Sequence, residues 1–320
     1  MTKNDTLEKR IRHLGQTILA LQVLMLVIPL SGCDKTDEEP PFIGDPLSCV
    51  FHCPSFNNTG DKIVFVWTPS VIPGVRHKVP DGIYIMNSDG TGKRPILQSP
   101  LVDTAERPRF SPSGDWIAFS AGVIWKINST ADSLVRLYDG GWSVEPNWSS
   151  DGGFLAFGSN EGSPVVNRYY LRICDASGLD NQPLLVGDSP IVCRFPSWLY
   201  SQRSIMFVEP LTHYIIKYNL TTSDLDTVMS DVYLRCFDLA GNDSTMVYEH
   251  DSRIWIRQGN GLAPVCLFNR WGRDPSISRD GQRVLFVGSD SESQYDAIWI
   301  ASTDGTWVTQ LTSASDWLGP

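Results

Sequence analysis

Residues 108–119 read Pro-Arg-Phe-Ser-Pro-Ser-Gly-Asp-Trp-Ile-Ala-Phe, and the same phrase returns along the chain. Each copy has a Pro or its substitute, a turn rich in Ser, Asp and Gly, and an apolar triplet whose last aromatic residue lies eleven positions after the start. Successive starts are 38 to 54 residues apart. A phrase that recurs at such intervals predicts a repeat architecture. Its six copies span residues 54–65, 108–119, 146–157, 196–207, 237–248 and 275–286.

The rest of each repeat predicts two more strands. A run of β-branched and aromatic residues follows the phrase, then a polar turn that often contains Gly, then a short closing strand. Four strands per repeat, six repeats and no helical periodicity after residue 40 predict an all-β fold over residues 49–320, a closed six-bladed β-propeller of four-stranded antiparallel blades. The closing strands are predicted to end near Leu97, Leu137, Leu185, Val228, Leu267 and Leu311.

The sequence allows three ways of closing the ring. A strand from residues 42–45 or from residues 317–318 could complete a blade that is shared by both ends of the chain. Alternatively, all four strands of the sixth blade come from residues 270–312, and the ends pack against the seam.

The phrase and the run Ile-Tyr-Ile-Met-Asn-Ser-Asp-Gly at residues 83–90 resemble the repeat of TolB-type (WD40-like) β-propellers. The resemblance covers roughly residues 50–312 and implies interactions that maintain the bacterial envelope. TolB itself has an α/β domain before its propeller, and peptidases with similar propellers have a hydrolase domain after it. Because about twenty residues separate Cys33 from the first repeat and the sequence ends at Pro320, we expect a propeller with neither partner domain.

The first 32 residues are predicted to be a lipoprotein signal peptide. Four basic residues precede an apolar run over residues 14–30, which is short for a spanning helix and suits an export signal. The run ends in Leu-Ser-Gly-Cys, which resembles the lipobox of bacterial lipoproteins. The resemblance implies lipid attachment at Cys33 and a lipid anchor in the cell envelope; the alternative is an uncleaved anchor with a chance Cys.

Residues 33–48 are predicted to be a solvated tether, because the stretch after Cys33 is rich in acidic residues and Pro. Asp34 resembles an inner-membrane retention signal, and the acidic cluster resembles a surface-export signal; an inert spacer is the alternative. The sequence therefore leaves open whether the protein lies on the periplasmic or the cell-surface side.

The net charge opposes nucleic-acid binding. Removing residues 1–32 takes away four basic and two acidic side chains, so the net charge changes from −10 to −12. Such a chain offers little attraction to phosphate backbones, and we expect no nucleic-acid partner.

Six cysteines follow Cys33, and in an oxidising compartment they permit disulfides with fifteen connectivities. Their spacing selects none of these, and it favours thiols or bridges over metal binding because no Cys-x-x-Cys or His-x-x-x-His set is present. They are Cys49, Cys53, Cys174, Cys193, Cys236 and Cys266.

Motifs for known catalytic chemistry are missing from the sequence. It contains no Gly-x-Ser-x-Gly, no His-Glu-x-x-His, no phosphate loop and no dinucleotide fingerprint. The Asp-Gly pairs are predicted to be tight turns, because the ligand ladder of a calcium loop is missing. We therefore expect no cofactor and no metal, and we name no catalytic residue.

One position in the repeat gathers cations. Two residues before each phrase, on the innermost strand, three consecutive blades have Arg, and blade one adds a His. A guanidinium suits a carboxylate or phosphate, so these residues predict a site for an anionic ligand or an acidic peptide end at one mouth of the channel. The alternative is that each Arg pairs with an acidic neighbour such as Asp274, Asp238 or Asp280 and joins the blades. The candidates are His52, Arg194, Arg235 and Arg273.

Two classes of function are consistent with these features. The preferred one is a membrane-anchored envelope lipoprotein whose propeller is a scaffold for an envelope protein or an anionic or glycan ligand. The alternative is a hydrolase or lyase that acts on an envelope or extracellular oligosaccharide or peptide at the channel mouth. Two long loops lie on one face, residues 68–81 with Arg76, His77 and Lys78 and residues 288–296; they are candidates for binding, and tolerated insertion is the alternative.

Overall fold

The computed structural model describes residues 51–68, 80–98, 105–165, 167–230, 234–259, 263–290 and 295–313. The signal peptide, Cys33, the tether and the shared closing strands of residues 42–45 and 317–318 lie outside this part of the chain, as do Cys49, Arg76, His77 and Lys78. Within it, no helix is long and apolar enough to cross a membrane.

The described residues form six four-stranded antiparallel sheets, and within each sheet the strands follow chain order. This confirms the predicted all-β propeller of four-stranded blades. The blades are, in order, Phe51–Phe56, Lys62–Trp67, Gly82–Asn87 and Arg94–Leu97; Ala105–Phe110, Trp116–Ala121, Val123–Asn128 and Leu134–Tyr138; Ser143–Trp148, Phe154–Ser159, Tyr170–Asp175 and Gln182–Pro183; Arg194–Trp198, Ser204–Glu209, Tyr214–Asn219 and Leu225–Ser230; Leu234–Leu239, Thr245–His250, Arg253–Gln258 and Val265–Phe268; and Gly272–Ile277, Arg283–Ser289, Asp296–Ser302 and Val308–Gln310.

The first strand of every blade is the innermost one. Each first strand contacts the first strands of both neighbouring blades, including those of blades one and six, so the six strands surround a central channel. All four strands of blade six come from residues 272–310, as the third of the three closure solutions predicts, while the chain ends lie outside the described residues. The seam is hydrophobic: Phe51 and Trp67 of blade one pack in one cluster with Leu285 and Ile298 of blade six.

The final aromatic residue of each phrase belongs to the core between blades. It lies on the second strand, where neighbouring sheets cover both faces, and at most 2% of its surface is exposed. This burial explains why an aromatic residue recurs at that register. The six residues are Phe65, Phe119, Phe157, Phe207, Tyr248 and Phe286.

Blade three departs from the predicted pattern at its outer edge. Its fourth strand is only Gln182–Pro183, and Leu185 begins a separate small hairpin, Leu185–Val186 with Ser189–Pro190. Pro183 has no N–H to donate to a sheet, so the outer strand is short at this point. The fourth strand of blade three thus ends at Pro183, close to the predicted end near Leu185.

A β-bulge interrupts the first strand of every blade. The pairing of first and second strands shifts register in all six blades. In five blades the residue directly before the Pro has a positive φ of 49° to 60°, a left-handed conformation that costs a non-Gly residue about 1–3 kcal/mol. A bulge re-aims the side chains around it. The five residues are Cys53, Arg107, Glu145, Phe195 and Asp274.

Turns between third and fourth strands pack against the preceding blade. Gly178, in the turn of blade three, has a φ of 85°, and a Cβ there would overlap the carbonyl oxygen of Leu137 on the outer strand of blade two.

Asp304 and Asp280 use their carboxylates within their own turns, accepting bonds from Thr306 and Ser278. The predicted role of the Asp-Gly pairs as tight turns agrees with these bonds.

We expect Gly178→Ala to lower the free energy of unfolding by about 2 kcal/mol or more, because strain and overlap with backbone add together. Urea denaturation measures the change. The control is Gly162→Ala, where φ is 73° and nothing lies near the added Cβ, so strain alone should cost about 1 kcal/mol. Equal losses in both variants would show that the contact between blades is unimportant.

Candidate functional site

Three consecutive levels of side chains line the channel, because each first strand contributes residues before and after its bulge. We call the end that bears the loops between second and third strands the loop face, and the end that bears the turns between first and second strands the turn face. The level nearest the loop face contains the predicted cations. The middle level consists of the bulge residue of each first strand. The level nearest the turn face comprises Ser55, Arg109, Asn147, Ser197, Asp238 and Ser276.

His52 and Arg273 are brought together across the seam. Arg273 Nη1 lies 3.3 Å from His52 Nδ1 and 2.9 Å from the carboxylate of Asp274. Its Nη2 donates to Asp296 at 3.0 Å and to the backbone oxygen of Phe51 at 2.8 Å. Arg273 therefore joins blades one and six, and its interaction with Asp274 matches the alternative of structural pairing.

Arg194 is fixed by a buried carboxylate on blade three. Its Nε and Nη2 both donate to Glu145 Oε1, at 2.9 and 2.6 Å, and its guanidinium stacks on Tyr169 and Phe195. The side chain of Arg194 is 38% exposed. One edge of this guanidinium is thus occupied, while part of the side chain still faces solvent.

Arg235 is the most exposed of the predicted cations, with 72% of its side chain accessible. Its single described ion pair joins Nη1 to Oε1 of the buried Glu249 at 3.4 Å. Burial raises the pKa of Glu249 and nearby Asp274 raises it further, while Arg235 opposes the rise. Glu249 can therefore take up a proton more readily than an ordinary Glu if Arg235 moves away.

The middle level contains an ion pair that the sequence analysis missed. Arg107 of blade two donates to Asp274 of blade six at 2.6 Å, and its guanidinium stacks on Phe195 at 4.8 Å. Burial opposes ionisation of Asp274, but Arg107 and Arg273 outweigh it and hold the pKa well below its ordinary value. The signal was available, since both residues stand directly before the Pro of the repeat.

One group of described residues has the composition of a metal site. Ligand atoms of Cys236, Glu249 and Asp274 lie within 4.8 Å of one another. However, Asp274 already accepts from Arg107 and Arg273, and burial holds the pKa of the Cys236 thiol well above its ordinary value. Nearby guanidinium groups and a protonated thiol do not suit a cation, so we assign these residues to the ion-pair network.

The described cysteines are structural thiols. Cys53, Cys174, Cys193, Cys236 and Cys266 form no disulfide. Burial raises the pKa of Cys53 and of Cys174 to about 12, so neither thiol is activated as a nucleophile. Of the two interpretations left open by the sequence, free thiols apply to Cys53, Cys174, Cys193 and Cys236.

The turn face holds a polar cavity of about 70 Å³ that the sequence analysis also missed. Arg109 and Asp238, 3.1 Å apart, form its floor, and Tyr200 and Arg279 lie at its rim. Residues directly after the Pro supply the floor, so the register of the repeat contained this signal too.

Comparison with known proteins connects this architecture to solved structures. No family model matches the sequence, and no curated protein matches it. The fold is similar to TolB from Acinetobacter baumannii, with 17% identity and a TM-score of 0.64 over 80% of this chain and 65% of that one.

Two enzymes share the fold at lower identity. An oligogalacturonate lyase in complex with manganese has a TM-score of 0.53 and 12% identity, over 82% of this chain and 77% of the lyase. A puromycin hydrolase has a TM-score of 0.58 and 11% identity, over 84% of this chain and 54% of the hydrolase. The chain thus spans less than two thirds of the TolB and hydrolase chains. At these identities the likeness establishes a fold and assigns no reaction: the described part of the chain is a six-bladed β-propeller similar in fold to the propeller of TolB.

Proposed function

We propose that the protein is a lipid-anchored envelope lipoprotein whose propeller is a binding scaffold. Cys33 bears the lipid, residues 33–48 hold the propeller away from the membrane, and the loop face binds an acidic peptide end or another anionic group of an envelope partner. The fold shared with TolB and the lipobox-like residues 30–33 support the envelope location.

The exposure of Arg235 is the observation that carries the proposal. This side chain lies at the channel mouth on the loop face, and one 3.4 Å interaction holds it. The interaction is long and joins an exposed guanidinium to a buried carboxylate, which also accepts from the Cys236 thiol and the backbone N–H of Asp274, so a ligand carboxylate can replace Glu249 as the partner of Arg235 at reduced cost. The raised pKa of Glu249 reduces the cost further, because this carboxyl can be protonated once Arg235 has left.

The other predicted residues have unequal roles in this proposal. Arg194, partly exposed and held on one edge by Glu145, offers a second positive charge to the same ligand. Arg273 and His52 support the mouth, since Arg273 is already engaged with Asp274 and Asp296.

We expect Arg235→Ala to abolish or strongly reduce recovery of the partner after crosslinking and affinity purification of the full-length protein from its own cells. Charge-assisted hydrogen bonds contribute about 1.5–3 kcal/mol, which corresponds to roughly tenfold to hundredfold in affinity. The matched control is Arg136→Ala, which removes an exposed, ion-paired Arg from the outer strand of blade two.

A partner recovered equally by wild type, Arg235→Ala and Arg136→Ala would contradict the proposed site. Recovery of no stoichiometric partner by the wild type, together with turnover of an oligosaccharide or peptide, would contradict the scaffold function itself.

A further inference from the structure

Arg109 lies in the channel at the turn face, and three of its five guanidinium N–H groups have no partner among the described residues. Its Nη1 alone donates to Ser55 Oγ at 3.2 Å, Asp238 Oδ2 at 3.1 Å and Ser276 Oγ at 3.3 Å. Within the described part of the chain, neither Nε nor Nη2 of Arg109 has a hydrogen-bond partner. Arg109 lines both the 70 Å³ cavity and a smaller one of about 20 Å³ deeper in the channel.

The unused atoms are the ones that recognise carboxylates. Nε and Nη2 form one edge of a guanidinium, and their two parallel N–H groups match the two oxygens of a carboxylate. Arg194 uses the same edge to hold Glu145, through Nε at 2.9 Å and Nη2 at 2.6 Å. In Arg109 the three hydrogen bonds that Nη1 donates fix the guanidinium and leave the Nε–Nη2 edge available.

The groups around Arg109 add donors and a positive charge. Arg279 stacks on Tyr200 at 4.9 Å and donates to Asn58 at 2.5 Å, so two guanidinium groups and one carboxylate, that of Asp238, line the cavity. The Tyr200 hydroxyl has no hydrogen-bond partner among the described residues. Burial raises the pKa of Tyr200 and Asp238 raises it further, so the hydroxyl remains a donor.

The charge of Asp238 is already satisfied and does not block an anion. Its Oδ2 accepts from Ser276 Oγ at 2.8 Å and from the backbone N–H of Ile277 at 3.1 Å, besides Arg109. The cavity wall also presents the amide of Asn147, whose Oδ1 accepts from the backbone N–H of Trp198 and whose NH2 group has no hydrogen-bond partner among the described residues. This NH2 group suits a hydroxyl group of a ligand, because it can donate a hydrogen bond to the hydroxyl oxygen.

We propose that the turn-face mouth is a second binding site, which takes the carboxylate of a small hydroxylated molecule such as a sugar acid. A cavity of about 70 Å³ holds a few water molecules or one carboxylate group, with the rest of the ligand at the rim. The Arg107–Asp274 ion pair lies between this site and the loop face. The inference is thus independent of the proposed partner site at Arg235.

Calorimetric titration of the full-length protein tests the ligand class with three probes: D-glucuronate, D-glucose and inorganic phosphate. We expect saturable binding of glucuronate, none of glucose, and weaker binding of phosphate. Glucose and glucuronate differ mainly in the carboxylate, so equal behaviour of the two would overturn the proposal. Phosphate that binds as tightly as glucuronate would overturn it as well, because the site would then be a general anion site.

Arg109→Lys tests whether the Nε–Nη2 edge binds the ligand carboxylate, since Lys keeps the positive charge but has no pair of parallel N–H groups. We expect it to weaken glucuronate binding roughly tenfold to hundredfold, and the control Arg136→Ala to leave affinity unchanged. Unchanged affinity in a folded Arg109→Lys protein, or an equal loss in Arg136→Ala, would overturn the proposal.

Tyr200→Phe provides the decisive variant if Arg109→Lys does not fold. It removes one hydroxyl and keeps the ring under Arg279, and we expect a loss of roughly twofold to tenfold in affinity. In that case, unchanged affinity for glucuronate would contradict the site.

Discussion

Replacing Asp274 with Asn is expected to lower the free energy of unfolding by about 3–5 kcal/mol, because the change removes the charge that faces two guanidinium groups inside the channel. Asp274 is nearly buried and interacts with Arg107 at 2.6 Å and Arg273 at 2.9 Å. Arg273 keeps Asp296 as a partner, but Arg107 loses its only described ion pair. Asn is the least disruptive replacement, since it tolerates the left-handed φ of 51° at this position.

Urea denaturation of wild type and variant measures this loss, and an exposed pair provides the control. Asp139→Asn breaks the Arg136–Asp139 interaction, in which both side chains are more than half exposed, and we expect a change below about 1 kcal/mol. A loss for Asp274→Asn as small as that for Asp139→Asn would mean that the channel ion pair contributes little.

The difference in unfolding free energy between wild type and Asp274→Asn should depend on pH, and this dependence identifies the Asp274 carboxylate as the cause of the difference. The pKa of folded Asp274 is lowered relative to the ordinary value of 3.8. Its contribution is therefore fully present above the pKa of the unfolded chain, near pH 4, and is lost as the pH falls through the lower folded value. The gap between wild type and Asp274→Asn should be constant near neutral pH and shrink below about pH 4. A gap that stays constant in acid would point to a packing defect.

Replacing Trp67 with Ala is expected to lower the free energy of unfolding by about 3–5 kcal/mol. Trp67 is completely buried, packs on Phe51 with ring centroids 4.9 Å apart, and belongs to the cluster that joins blades one and six. The substitution opens a cavity at the seam where the ring closes. Because no strand exchange holds this seam among the described residues, side-chain packing holds the two blades together along with the hydrogen bonds of Arg273.

Chemical denaturation checks this prediction, with Trp142→Ala as the matched control. Half of the Trp142 surface is exposed, so its removal should cost about 1 kcal/mol or less. Similar losses for the two Trp variants would contradict a special contribution of the seam.

The candidate sites show which part of the prediction could come from sequence. The common register of the repeat placed His52, Arg194, Arg235 and Arg273 at one level of the channel, and the structure brings His52 and Arg273 together. The same register holds Arg107 and Arg109, yet neither stands out in the sequence, because each is the only Arg at its level. Their importance depends on what faces them across the channel.

The sequence by itself determined the number of blades, through the repeated phrase, and the four strands of each blade, through the rest of the repeat. These features follow from short-range patterns, since alternation of apolar residues and the chemistry of a turn act within a few residues. Only the tertiary structure decided which cations are engaged and which are available. Arg107 and Asp274 are 167 residues apart in sequence, and Arg109 and Asp238 are 129 apart. Such side chains meet only when the ring closes, because closure brings the bulged first strands of distant blades around one channel.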